Sequence, residues 1–140
     1  IEFFLILVAA GAAVSVNSFW RLLVGTLIMV VGGYLGESGY LGATTGFIIG
    51  MIGWAIIIYE IFGGEASKAA AGSDSVRSAF NAMRLIVLVG WAIYPLGYIF
   101  GHMMSSVDPS TLNGIYNLAD FVNKILFGLI IWNAAIKDSA

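Results

Sequence analysis

Asp120 and Lys124 stand one helical turn apart in a long apolar stretch, IYNLADFVNKILFGLIIW, residues 115–132. On an α-helix the i, i+4 spacing puts both side chains on one face, with Cβ atoms about 5–6 Å apart. Asn117, three residues before Asp120, shares that face. A lysine in the middle of a lipid-embedded helix costs about 2.5–3.5 kcal/mol on insertion scales, so such residues are rare and mark functional sites. Two chemistries suit the pair. In a low-dielectric site the amine can lose its proton and condense with an aldehyde as a Schiff base, with the carboxylate as counterion. Alternatively the charges form a buried ion pair that merely locates the helix in a bundle.

The elements that must position this pair are membrane helices. Sixty per cent of the residues are hydrophobic and ten per cent charged, and the mean hydropathy is +0.96, outside the range of ordinary soluble domains. Eighteen Gly against two Pro fit close-packed membrane helices, whose backbones approach through small residues. A net charge of −2 without a basic patch argues against nucleic acid as a partner. The absence of Cys excludes disulfides and thiolate metal sites. No phosphate loop, His/acid metal cluster or Ser/His/Asp set is present, which removes support for hydrolase and nucleotide-driven mechanisms and for a metal site.

Hydropathy predicts an all-α integral membrane bundle of about five segments in one domain spanning 1–140. The first, Ile1–Val14, is too short to span, and the chain reads as a fragment that begins inside a helix. Ser15–Ser18 connects it to a second helix at about Phe19–Gly36, with Ser18 as N-cap. A third covers about Ala43–Phe62, and Gly63–Ser75 reads as a loop. The fourth, about Val76–Met104, runs to the turn Asp108-Pro109-Ser110, which starts the fifth at about Thr111–Ile136. Arg21, Lys68, Arg77, Arg84 and Lys137 fall at one end of the bundle, while Glu37 and Asp108 mark connections at the other. The positive-inside rule makes the basic end, and with it the C-terminus, cytoplasmic.

Further residues with chemical potential lie on other segments. Trp91, Tyr94, Pro95 and Tyr98 fall on one face of the fourth helix, as a packing stripe or a cofactor wall. Pro95 kinks that helix and frees a backbone carbonyl. Gly32 and Gly36, and Gly42, Gly46 and Gly50, form small-residue rows suited to helix contacts. Glu2 stands about three turns before the basic end; inside a membrane its carboxyl is protonated by desolvation, whereas at an open chain end it is simply hydrated. His102 reads as an interfacial residue and Glu60 as a solvated one near the boundary.

The segment YNLADFVNKILFGLIIWN closely resembles the last helix of the proteorhodopsins, microbial retinal proteins in which the Lys of D-x-x-x-K carries the chromophore. The resemblance runs through the whole chain, and WAIYPLGY is similar to the retinal-pocket stripe of that family. It implies the end of the third helix through the seventh of a seven-helix rhodopsin. It further implies all-trans-retinal on Lys124 as a protonated Schiff base, with Asp120 as counterion. Trp91, Tyr94, Pro95 and Tyr98 would form one wall of the pocket, with Tyr94 bonded to Asp120. Met29 and Gly33 match positions flanking the chromophore, and Trp54 the aromatic near the ring end. Phe47 stands where antenna-binding relatives carry a small residue, so its bulk argues against a carotenoid antenna. IEFFLIL matches the end of the third helix with Glu2 as proton donor, a position where sodium and chloride pumps usually carry Gln.

The resemblance thus implies a light-driven outward proton pump in the plasma membrane of a prokaryote, driven by light and therefore not an enzyme. Its partners would be the lipid bilayer, retinal and the transported protons; rings of copies are common in the family, so a homo-oligomer is compatible. A sensory rhodopsin signalling through a partner would keep the same residues. A retinal-free transporter or scaffold would use Asp120–Lys124 as a structural pair. The proton-accepting Asp and the colour-tuning position of the family fall on helices outside this chain.

Overall fold

The structure, a computed structural model, describes residues 1–72 and 74–139. Ser73, within the predicted connection, and Ala140, at the end of the predicted domain, lie outside the described residues. All regular elements among the described residues are helical: α1 (Glu2–Ala9), α2 (Val16–Glu37), α3 (Ala43–Phe62), α4 (Glu65–Ala69), α5 (Asp74–Leu85), α6 (Ile93–Tyr98) and α7 (Pro109–Ser139). Four stretches are long and apolar enough to cross a membrane: Val16–Glu37, Ala43–Gly72, Val76–Met103 and Pro109–Ser139. The bundle is the predicted one, with α1 as a short first segment.

Helices α2 and α3 form an antiparallel hairpin with the most extensive helix–helix contact in the molecule. Glycines make it close. A Cβ on Gly53 would meet Gly25 O at 2.6 Å and Met29 Cα at 2.7 Å, and one on Gly46 would meet Gly32 O at 2.9 Å. Gly36 and Gly32 answer from α2, so the two rows belong to one seam; Gly42, with only Thr45 near it, takes no part. Lipid offers no hydrophobic drive for helix pairing, so this van der Waals contact is what joins the helices. Gly39, at φ +79°, lets the chain reverse between them.

Several predicted boundaries shift for physical reasons. α2 starts earlier, with Ser15 rather than Ser18 at its N-cap, because Ser18 is fully buried and donates to Glu60 Oε1 at 2.6 Å. Glu60 is 0 % exposed instead of solvated. It also accepts from Arg21 Nη1 at 2.8 Å and from the Ala66 amide at 3.0 Å. Those bonds fold the predicted loop 63–75 into α4 and a 3₁₀ turn, Ala70–Gly72, packed back on α1 and α5. Gly64 permits the fold-back, since a Cβ there would meet Glu60 Cα at 2.7 Å.

The predicted fourth helix is a rod of mixed winding, α5 and α6 joined by a π-helical turn at Ile86–Gly90, with a second at Ile99–Met103. The apolar core sits toward the basic end, where Phe3, Leu7, Ile61, Phe80, Met83 and Val87 are buried together. Phe3 is its hub, with ring centroids 5.0 Å from Phe80 and 5.6 Å from Phe127. At the opposite end Asp108 precedes Pro109 and accepts the Thr111 amide at 2.9 Å, capping α7.

Gly53→Ala should lower the midpoint of denaturant-induced unfolding in detergent by an amount equivalent to about 1–3 kcal/mol, the usual cost of overpacking. Gly114→Ala, where a Cβ would meet nothing within 4 Å, is the control and should leave the midpoint in place. A second outcome concerns acid. Hydrogen bonds from Thr111 hold the Asp108 carboxyl below the usual carboxylate range. A depressed pKa contributes stability above the unfolded value, near 3.9, and that contribution disappears as pH falls through the folded value. Asp108→Asn should therefore flatten the acid limb of a thermal-stability profile below about pH 4; an identical limb in both proteins would show that the cap contributes nothing through its charge.

Candidate functional site

Between α2, α3, the α5–α6 rod and α7 lies a cavity of about 870 Å³. Its wall includes every pocket residue expected from the sequence. Trp91, Tyr94, Pro95 and Tyr98 come from the rod, Met29 and Gly33 from α2, Trp54 from α3, and Asp120 and Lys124 from α7. Phe47 also lines it, its ring 5.7 Å from that of Tyr98. Four polar side chains on this wall are turned to backbone partners. Trp54 Nε1 donates to Val87 O at 3.1 Å, Tyr98 Oη to Ala43 O at 3.0 Å, Tyr116 Oη to Tyr94 O at 3.1 Å and Thr26 Oγ1 to Leu22 O at 2.7 Å. The space in between is apolar.

At α7 the polar groups converge. Lys124 Nζ lies 2.7 Å from Asp120 Oδ2, and the Tyr94 hydroxyl donates to Asp120 Oδ1. The carboxylate is thus shared between a cation and a phenol, one on each oxygen. The described helices leave the Lys124 side chain 75 % and that of Asp120 44 % exposed. α7 packs along one face only, so the cavity opens beside it. Glu2, at the start of the described residues, has a side chain that is 60 % exposed. Its side chain lines both the main cavity and a second cleft of about 470 Å³ between α1 and the end of α7, near Asp138.

Sequence reasoning missed several members of this neighbourhood. Pro95 has no N–H, and the Tyr94 amide turns to Trp91 O at 3.1 Å, leaving Gly90 O to be met by Asn123 Nδ2 at 3.1 Å. Asn123 directly precedes Lys124, and that adjacency was the available signal. Tyr116, one turn before Asp120 on the same face, carried a comparable one. Asn117 does not join them; it is exposed. At the acidic end Glu37 lines the cavity with its Oε1 3.7 Å from His102 Nε2, so His102 has a carboxylate neighbour as well as an interfacial place. Among the described residues no group of three His, Cys, Asp or Glu could hold a metal ion.

Residues 2–138 match the family model described as bacteriorhodopsin-like protein. The chain is 53 % identical over 143 residues to the blue-light absorbing proteorhodopsin of Gamma-proteobacterium Hot 75m4, covering 100 % of this chain and 57 % of that protein. Against the green-light absorbing proteorhodopsin of Gamma-proteobacterium EBAC31A08 the identity is 52 %, over 99 % of this chain and 56 % of the relative. The crystal structure of a blue light-absorbing proteorhodopsin from Med12 superimposes with a TM-score of 0.78 at 44 % identity, over 98 % of this chain and 60 % of that one. The rhodopsin of Exiguobacterium sibiricum gives a TM-score of 0.78 at 36 % identity, over 89 % and 56 %. The chain therefore spans somewhat over half the length of the relatives it matches.

Trp54→Phe keeps an aromatic ring in the wall but removes the donor to Val87 O. An unmet buried carbonyl costs about 1–3 kcal/mol, so the thermal midpoint in detergent should fall accordingly; an unchanged midpoint would mean that Val87 O finds another donor at no cost.

Proposed function

The chain belongs to the bacteriorhodopsin-like protein family, and from that premise we propose that it forms most of the retinal-binding core of a light-driven outward proton pump. One observation carries the reading: an apolar, aromatic-walled cavity whose polar end is the linked set Tyr94, Asp120 and Lys124. A volume of about 870 Å³ falls within the usual 300–1,000 Å³ of small-molecule sites. Retinal, a long hydrocarbon ending in one aldehyde, matches such a wall and such an end. Linked to Lys124 Nζ as a protonated Schiff base, it would supply light absorption and the isomerisation that lowers the nitrogen's hold on its proton.

Everything else falls to the chain. Lys124 supplies the amine. Asp120 places a negative charge 2.7 Å away, which favours the protonated nitrogen before light. Tyr94 occupies the second carboxylate oxygen and keeps Asp120 turned toward the amine. Trp91, Pro95 and Tyr98 from one side and Met29, Gly33 and Trp54 from the other confine the hydrocarbon. Glu2, on the wall shared by the cavity and the basic-end cleft, returns a proton from the side the positive-inside rule makes cytoplasmic. The same rule puts the C-terminus inside a prokaryotic plasma membrane, with the bilayer as partner.

An absorption spectrum of membranes holding the chain, taken after adding all-trans-retinal, tests the first half. The chain is read as it stands, grafted behind the preceding helices of a proteorhodopsin, and as Lys124→Ala in each form. The expected result is a visible band that vanishes with Lys124→Ala, together with light-driven acidification of the medium by the graft that a protonophore abolishes. A band without acidification, on a slow photocycle, would replace the pump with a sensor. A well-folded graft that stays colourless would sink the retinal reading.

A further inference from the structure

We propose that Asn123 is a positioning residue for the Lys124 amine, acting through the π-helical turn at Ile86–Gly90; the proposal rests on the reading of Lys124 given above. Three side chains of α7 reach the rod along one face, at positions 116, 120 and 123. Tyr116 bonds to Tyr94 O and Asp120 to the Tyr94 hydroxyl, so both grip the same residue of α6. Asn123 alone of the three bonds to the π turn, at Gly90 O. Apolar packing also joins α7 to α5 and to the rod, with Leu112 against Gly97 and Gly101. Asn123 adds a directional tie immediately before Lys124 and so fixes the azimuth of that residue.

The partner at Gly90 is built for this bond. The carbonyl is open because the Tyr94 amide has turned to Trp91 O at 3.1 Å, next to the missing N–H of Pro95. The approach is open because residue 90 has no side chain; a Cβ there would drive into Asn123 Oδ1. Gly90 also directly precedes Trp91, a residue of the cavity wall, so one hydrogen bond sets the amine and that wall against each other. A donor with no role beyond filling a lipid-facing surface would need neither feature.

The test uses the full chain in detergent with all-trans-retinal, in five forms: unsubstituted, Asn123→Leu, Gly90→Ala, Asn123→Ala, and the double variant Gly90→Ala/Asn123→Ala. Asn123→Leu keeps the volume and deletes the donors. It should move the Lys124-dependent absorption band and speed its dark bleaching by hydroxylamine about fivefold, the equivalent of one net hydrogen bond. Gly90→Ala should reproduce both effects by displacing the amide. The double variant should be no worse than either single one, since the two changes act on one bond. Amide hydrogen exchange across residues 86–94, measured without retinal, should quicken in Asn123→Leu. An unmoved band and unchanged bleaching in a pigmented Asn123→Leu protein would overturn the proposal. If the unsubstituted chain forms no pigment, the same variants are read in the graft behind the preceding helices of a proteorhodopsin; a well-folded graft without colour is what sinks the retinal reading, and unchanged exchange across 86–94 would independently overturn the role of Asn123.

Discussion

The closeness of α2 and α3 is the constraint from which the rest of the molecule follows. In lipid, two apolar helices gain nothing by hiding from solvent, so they stay together where backbones touch and where polar side chains bond across, as Ser18 and Arg21 do to Glu60. Gly25, Gly32 and Gly36 on one side and Gly46 and Gly53 on the other bring them to that distance. Because the seam uses those positions, Met29 and Gly33 are left to face the cavity, and Trp54, beside Gly53, turns toward the rod. Side chains on the seam would spread the hairpin and move one whole wall of the site. The glycines thus determine which residues of α2 and α3 can line the cavity at all.

The rod opposite is held by a different device. Its π turns and Pro95 interrupt the regular ladder of backbone bonds, and a helix within a membrane must recover the freed groups from its neighbours. Trp54 on α3 takes Val87 O and Asn123 on α7 takes Gly90 O. Each donor comes from a different helix, so the irregularities in the rod are what attach it on both sides. A perfectly regular helix here would offer no carbonyl for either to hold. Tyr98 completes the fastening at the far end, its hydroxyl on Ala43 O and so close to Gly36 that no side chain fits between.

How much of this was legible in the sequence follows from the range of the interactions. The α3 boundaries, the D-x-x-x-K pair and the aromatic stripe depend on spacing within one helix, which a sequence displays directly. Glu60 was misread because its burial depends on Ser18 and Arg21, some forty positions away, and on an amide of α4 that forms only once the chain folds back. The π turns had no composition signal; IVLVG reads as ordinary apolar helix. Asn123 went unnoticed beside a lysine whose charge dominated the segment.

The two charged sites differ in how their carboxylates are met. Glu60 is wholly buried and carries donors on both carboxylate oxygens: Ser18 and Ala66 on Oε1, Arg21 on Oε2. Removing any of these partners would strand a buried charge, which makes Glu60 a fastening. Asp120 is met differently. One of its oxygens holds Tyr94, the other holds only Lys124, and both charged side chains remain open to the cavity. Charged side chains within a membrane-spanning helix are costly unless paired, so each of the two supports the other while both stay on the cavity wall. The fold therefore uses one carboxylate to tie two helices and keeps the other on the cavity wall, bonded to Tyr94 and Lys124.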